Sequence, residues 1–184
     1  MDNTLGAAIA VTRFGLGARP GEIAAASGDP RGFLMAQIRA SGADLADPGG
    51  PGSAQRFGEF ADYRAARKAA RRDGDPKSDP VKMVGQLLRG DTGADFLARV
   101  RLGATTEAGF RERWALFWAN HFTVSASKIA TATLVGPFEA EAIRPHVFGP
   151  FADLLIASSS HPAMLLYLDQ ARSFGPDSPA AAFA

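Results

Sequence analysis

The stretch Phe110-Arg111-Glu112-Arg113-Trp114-Ala115-Leu116-Phe117-Trp118-Ala119-Asn120-His121-Phe122 holds both tryptophans of the chain together with an imidazole. Phe110, Trp114, Phe117 and His121 recur at four-, three- and four-residue steps, so they share one face of an α-helix, with Trp118 and Phe122 beside it. Such a stripe is first of all a core face, and each buried aromatic contributes on the order of 2–3 kcal/mol. Thr105 or Thr106 is positioned to cap this helix, and Glu107 complements its positive N-terminal end.

Outward from this helix the same periodicity recurs, while alternating runs of Val, Ile and Thr are almost absent, and the chain reads as all-α. About eight helices are expected in one irregular domain spanning residues 1–184. Asn3 caps a first helix to Arg13, and the Gly15–Gly21 turn ends it. Short helices follow near Glu22–Ser27 and Pro30–Ala40, the second with Asp29 as cap and Pro30 at its first position. Further helices are expected over Ala54–Arg72, Pro80–Arg89 and Thr92–Gly103. Residues 41–53 and 73–79, rich in Pro, Gly and Asp, read as exposed loops within the domain. Beyond the polar Thr123–Ser127 connection, helices are expected at Leu134–Arg144, from Gly149-Pro150 to Ala157, and from His161-Pro162 to Ala171.

Composition bounds the function. With 46% hydrophobic and 21% charged residues the 184-residue chain is ordinary globular material, and a net charge of +1 gives no overall commitment to nucleic acid or membrane. The absence of cysteine removes disulfides, thiolate metal sites and cysteine nucleophiles. No apolar run approaches the roughly 20 residues of a spanning helix, and Met1-Asp2-Asn3-Thr4 lacks the basic start of a signal peptide. The expectation is a soluble protein of the cytoplasm, with the periplasm left open.

The candidate catalytic residues are His121 as ligand or general base, Asn120 as an orienting group, and Asp169 as a carboxylate. Each has a structural alternative; for His121 it is a buried, hydrogen-bonded imidazole at the negative end of a helix. His161 precedes Pro162 and can satisfy a free amide at a helix start. His161 and Asp169 lie eight residues apart, about 12 Å along a helix, too far to share an ion directly. No metal site is assigned and no cofactor is named. Gly15 and Gly17 carry two glycines of a dinucleotide loop, but Pro20 replaces the third and a helix precedes it, so Gly15, Gly17, Pro20 and Gly21 read as a tight turn. Arg64, Arg67, Lys68, Arg71 and Arg72 form a basic stripe, weighed as a solvated face or one docking on an acidic partner rather than a nucleic-acid site. No serine lies in a Gly-x-Ser-x-Gly elbow.

Three ordered segments carry a family resemblance: Arg13-Phe14-Gly15-Leu16-Gly17-Ala18-Arg19-Pro20-Gly21-Glu22, the Trp114/Trp118 helix, and His161-Pro162 through Asp169, followed by Ser173-Phe174-Gly175-Pro176-Asp177-Ser178-Pro179. Together they resemble the bacterial domain-of-unknown-function family 1800. That resemblance implies a longer protein of which this chain matches an N-terminal portion, since family members continue with an Asn-Glu-Asn-x-Ala-Arg-Glu-Leu-Leu-Glu-Leu-type helix. It also implies a protein partner, a secreted sulfatase-like family encoded nearby. The reading that follows is a non-catalytic helical interaction or scaffold module. The alternative is a hydrolase, metal-assisted in one version, with its site completed elsewhere. The final helix is expected to leave an apolar face uncovered through Met164, Leu165, Leu168 and Ala171, and the chain to self-associate through it.

Overall fold

A computed structural model describes residues 3–46, 50–75, 77–170 and 173–179, and among these the protein is helical throughout, with ten α-helices and no strand. Of the caps expected near the start, Asp29 is present, whereas Asn3 is the first residue of its helix rather than its cap. Helix α1 (Asn3–Arg13) buries Ala7, Ala10 and Val11. Helix α2 (Glu22–Ala26) starts at Gly21 in the left-handed conformation, and α3 (Pro30–Met35) starts at Asp29, whose carboxylate accepts the Gly32 amide at 2.9 Å. These three close a small cluster of Ala7, Val11 and Ala26, with Ile23 and Phe33 against it. Helix α3 ends at Met35, one turn short of the expected Ala40, because the chain tightens into turns that position Gln37.

Helix α4 (Ser53–Arg72) and helix α5 (Asp79–Thr105) form a long hairpin. Two helices were expected over the α5 span. The structure corrects this to one helix of 27 residues running through Gly90-Asp91-Thr92-Gly93, because Asp91 and Asp95 are anchored to Arg56 of α4. Of the two loops, residues 41–46, 50–52 and 73–75 are irregular, while 47–49 and 76 lie outside the described residues.

Helix α6 (Gly109–His121) is the aromatic helix. Its cap is neither Thr105, which still belongs to α5, nor Thr106. Ala108 holds the cap position, and the Gln37 side chain supplies the acceptor, taking the Phe110 amide at 2.8 Å. Helix α7 (Ile129–Ala132) was not anticipated. The single helix expected at Leu134–Arg144 is a composite: α8 (Val135–Phe138), a π turn over Glu139–Ile143, and a 3-10 turn over Arg144–His146. Helix α9 (Phe151–Ser160) and α10 (Pro162–Tyr167) complete the fold. Helix α10 stops at Tyr167, with Asp169 at φ 56°, and Ala171 lies outside the described residues.

The composite rod of α8 and its π turn is the hub, packing against α5, α6 and α9. Around it lies the main core of Ala115, Leu134, Phe138, Ala142, Ile143, Val147, Leu154 and Ala163. On α10 the residues that meet this core are Ala163, Met164, Leu166 and Tyr167, whereas Leu165 and Leu168 are exposed. Of the apolar face expected to be left uncovered, Leu165 and Leu168 are thus open, while Met164 packs on the core.

Candidate functional site

The buried face of α6 is not the aromatic stripe. It consists of Arg111, Glu112 and Ala115, while Trp114 and Trp118 are half-buried and Phe117 and His121 are exposed. The reason is a partner that packing alone does not reveal. Arg144, on the rod opposite, is buried and uses all five N–H donors of its guanidinium inside the protein. Its Nη1 and Nη2 fork onto Glu112 at 2.7 Å each, its Nε and Nη2 reach Glu139 Oε1 at 2.9 and 2.6 Å, and Nη1 also donates to the Asp44 carbonyl at 2.6 Å. The π turn makes this possible: the Arg144 amide bonds the Glu139 carbonyl in the i→i+5 ring that defines such a turn, bringing both side chains to one side.

Burial alone would lower the pKa of Arg144, but hydrogen bonds and charges from Glu112 and Glu139 more than reverse it. Arg99 of α5 holds the other oxygen of Glu139 at 3.1 Å. Arg111 donates to the Gln37 carbonyl at 2.7 Å and pairs with Asp44 at 2.9 Å. Burial pushes the Asp44 carboxyl up, yet Arg111 and Arg39 together hold it below the usual value. Gly42 lets this loop approach: at φ 83°, a Cβ there would stand 2.2 Å from the Arg144 carbonyl oxygen.

A cavity of about 380 Å³ lies beside this network, between residues 45–46 and 50–52, α5 and the rod. Asp95 projects into the narrowest gap, where a Cβ on Gly136 would meet its Oδ2 at 2.3 Å and one on Gly50 its Oδ1 at 2.4 Å. Burial pushes the Asp95 carboxyl up, outweighing the adjacent Arg56, and Asp91 adds to the rise. Arg56, fully buried, holds both Asp95 oxygens at 2.9–3.0 Å and faces Asp91 at 3.3 Å. On the cavity's other side Glu141 accepts from the Ser53 amide and hydroxyl, each at 2.7 Å, and thereby caps α4. The same carboxylate meets His161 Nε2 at 3.3 Å, and His161 Nδ1 accepts the Ala163 amide at 3.1 Å to cap α10. With Nδ1 accepting, the ring proton sits on Nε2 and points to Glu141. Serine, glutamate and histidine thus touch, but in an order that puts the carboxylate between the other two; the imidazole has no path to the serine hydroxyl, and the group joins helix starts. Burial pushes the Glu141 carboxyl up, and the bonds from Ser53 and His161 more than offset this, bringing it below the ordinary glutamate value. Burial pulls the His161 imidazole down, and Glu141 only partly offsets this.

The sequence candidates fall in separate surroundings. His121 stands among rings, with Phe122 at 5.0 Å, Trp118 at 5.5 Å and Phe117 at 6.2 Å between centroids, so the buried, hydrogen-bonded alternative is corrected to an exposed aromatic setting. Asn120 is exposed beside it, and Asp169 is paired with Lys128 at 2.8 Å. Among the described residues no group of three or more His, Asp or Glu side chains is placed to hold a metal ion. Trp114 donates its indole proton to the Val147 carbonyl at 2.7 Å, and Trp118 stacks on Phe122 and meets Phe151. Gly17 at φ 123° and Gly21 at φ 80° flank Pro20 in a turn fastened to the rest through Gly15, whose carbonyl accepts from Arg113 at 3.1 Å. A side chain at Gly15 would press on the Val11 carbonyl. Arg64, Arg67, Lys68 and Arg71 line one groove of about 740 Å³ together with Lys128, while Arg72 lies outside it and faces Asp73.

Sequence reasoning missed Arg56, Asp95, Glu112, Glu139, Glu141 and Arg144. One signal was available: the adjacent charges Arg111-Glu112 between Phe110 and Trp114, on a helix otherwise given to rings. A family model described as "Protein of unknown function (DUF1800)" matches residues 9–179. No curated protein and no solved structure matches the chain.

Proposed function

The chain belongs to the DUF1800 family of proteins of unknown function, and from that premise we propose that it acts as a non-catalytic helical interaction module whose α4–α5 hairpin is the docking element. The observation that carries this reading is how little the hairpin buries. Helices of 20 and 27 residues enclose only Arg56, Ala70, Leu88 and Ala98, and α5 displays Met83 at 68% and Phe96 at 67% exposure, with Leu87, Leu97 and Val100 also open. An arm about 40 Å long with this much uncovered apolar surface has the character of a protein contact. The charged cavity beside it supports the same reading: its acids and bases are engaged with one another and tie α4, α5, α6 and α10 to the rod, which gives the arm a rigid base.

A photo-crosslinking residue placed at Leu87 or at Phe96 in the natural host should yield discrete adducts that are absent when it is placed at Asp62. Adducts from neither apolar position would rule the reading out. No helix among the described residues is long and apolar enough to cross a membrane.

A further inference from the structure

We propose that the groove between α4 and the start of α7 receives an acidic amphipathic helix of a partner protein. The inference rests on the interaction-module reading and names the partner's chemistry. The apolar lining is formed by Ala61, Ala65, Ile129 and Ala130 together with Phe60 and Tyr63. The rim is cationic: Arg64, Arg67, Lys68 and Arg71 from α4, with Lys128 across from them, and no carboxylate lines the space. Asp62 lies two residues before Arg64 and so projects from the opposite side of α4. Lys128 is held at the rim by Asp169, which leaves α4 as the source of binding charge.

Spacing selects a helix as the occupant. Arg64, Lys68 and Arg71 follow at steps of four and three residues, about 6 and 4.5 Å along the axis, which is the spacing at which Asp or Glu recurs on one face of a partner helix. An amphipathic helix would place its apolar face on the apolar lining and its carboxylates against the cationic residues, the helix-in-groove mode of recognition. Single-stranded nucleic acid would use the same cations but also needs open aromatic faces for its bases. Here the Tyr63 ring is covered by the Arg67 guanidinium, 5.7 Å from its centroid, and packed by Phe60 at 6.5 Å. The Tyr63 ring is thus engaged within the groove rather than open for a base to stack on.

The test uses the whole chain and three fluorescent probes read by anisotropy: an amphipathic Leu/Glu peptide of about four helical turns, the same peptide with Gln for Glu, and an oligothymidylate of similar length. The Leu/Glu peptide is expected to bind at least about tenfold more tightly than either other probe, and Arg67→Glu with Arg71→Glu is expected to remove that advantage. Both substituted side chains are exposed, so an unchanged circular dichroism spectrum certifies the fold. Equal binding of the Glu and Gln peptides, tighter binding of the oligothymidylate, or an advantage that survives the double substitution would each overturn the proposal. Leu87 and Phe96 lie outside this groove. Crosslinking from those positions without peptide binding therefore removes the acidic-helix inference alone, whereas loss of crosslinking removes the interaction-module reading itself.

Discussion

Arg144 and Glu112 are both almost completely enclosed, and a buried ion pair behaves asymmetrically when cut. Replacing Glu112 with Gln keeps the shape but turns an NH2 donor toward a guanidinium N–H where a carboxylate oxygen had accepted, with only Glu139 left to balance the Arg144 charge. The expected cost is about 3–5 kcal/mol in urea unfolding. Replacing both members, as Glu112→Leu with Arg144→Met, should cost clearly less than the two single changes summed. An additive result would mean that the pair is not the unit the geometry describes. His161 gives the second prediction at this scale. Its pKa in the folded protein lies below the ordinary 6.5, so the fold prefers the neutral ring; the stability this contributes is complete above pH 6.5 and is lost as pH falls through the folded value. His161→Asn retains a side-chain acceptor for the Ala163 amide but cannot titrate. Unfolding free energy should therefore decline from pH 7 toward pH 5 more steeply in the wild type than in the variant. Asp95, whose carboxyl burial pushes up, acts in the opposite sense, and Glu141, held low, loses its contribution only as pH falls below about 4.5; the difference between the two proteins isolates the imidazole. Parallel pH profiles would refute the assignment.

At the scale of elements, local chemistry was legible where it acts within a few residues. Asp29-Pro30 starts a helix because a carboxylate reaches the third amide while proline needs none, and both the start and the cap bond are present at α3. Gly21 begins α2 with positive φ, a turn that the Gly-x-Gly spacing announces. What was not legible is decided across the chain. The aromatic stripe of α6 is real as a stripe, but periodicity gives a face and not its direction, and the Glu112–Arg144 fork, between residues 32 apart, turns the charged face inward. Its cap comes from Gln37, 73 residues before Phe110, so no nearby threonine was required. Gly90-Asp91 reads as a break because glycine disfavours helix interiors, yet α5 passes through it, with Asp91 and Asp95 both paired to Arg56. The candidate cavity was illegible for the same reason. Its residues come from four separate stretches, and only the π turn puts Glu139, Glu141 and Arg144 within one reach.

Over the whole molecule, turning the charged face of α6 inward leaves its rings at the surface. Phe117 is 50% and Phe151 54% exposed, and ring contacts run from Phe117 through Trp118 to Phe122 and Phe151 at 5.2–6.4 Å, so α6 and the start of α9 share one continuous aromatic surface. Leu155 and Ile156 extend it along α9, and Leu165 and Leu168 expose further apolar area on α10. Patches beyond a few hundred Å² are uncommon on soluble monomers and drive association. The 184-residue chain is therefore expected to sediment as a concentration-dependent mixture and to bind a hydrophobic dye. The final helix alone is not the main contributor, because Met164, Leu166 and Tyr167 face the core. Phe117→Glu with Phe151→Glu should shift the mixture toward monomer and weaken dye binding, whereas Leu165→Glu with Leu168→Glu should do so less. Both pairs are exposed, so neither carries the cost of a buried charge. A wild-type protein that sediments as a clean monomer without dye binding would show that this aromatic surface does not drive self-association, and a larger effect from the α10 pair would move the interface to the final helix.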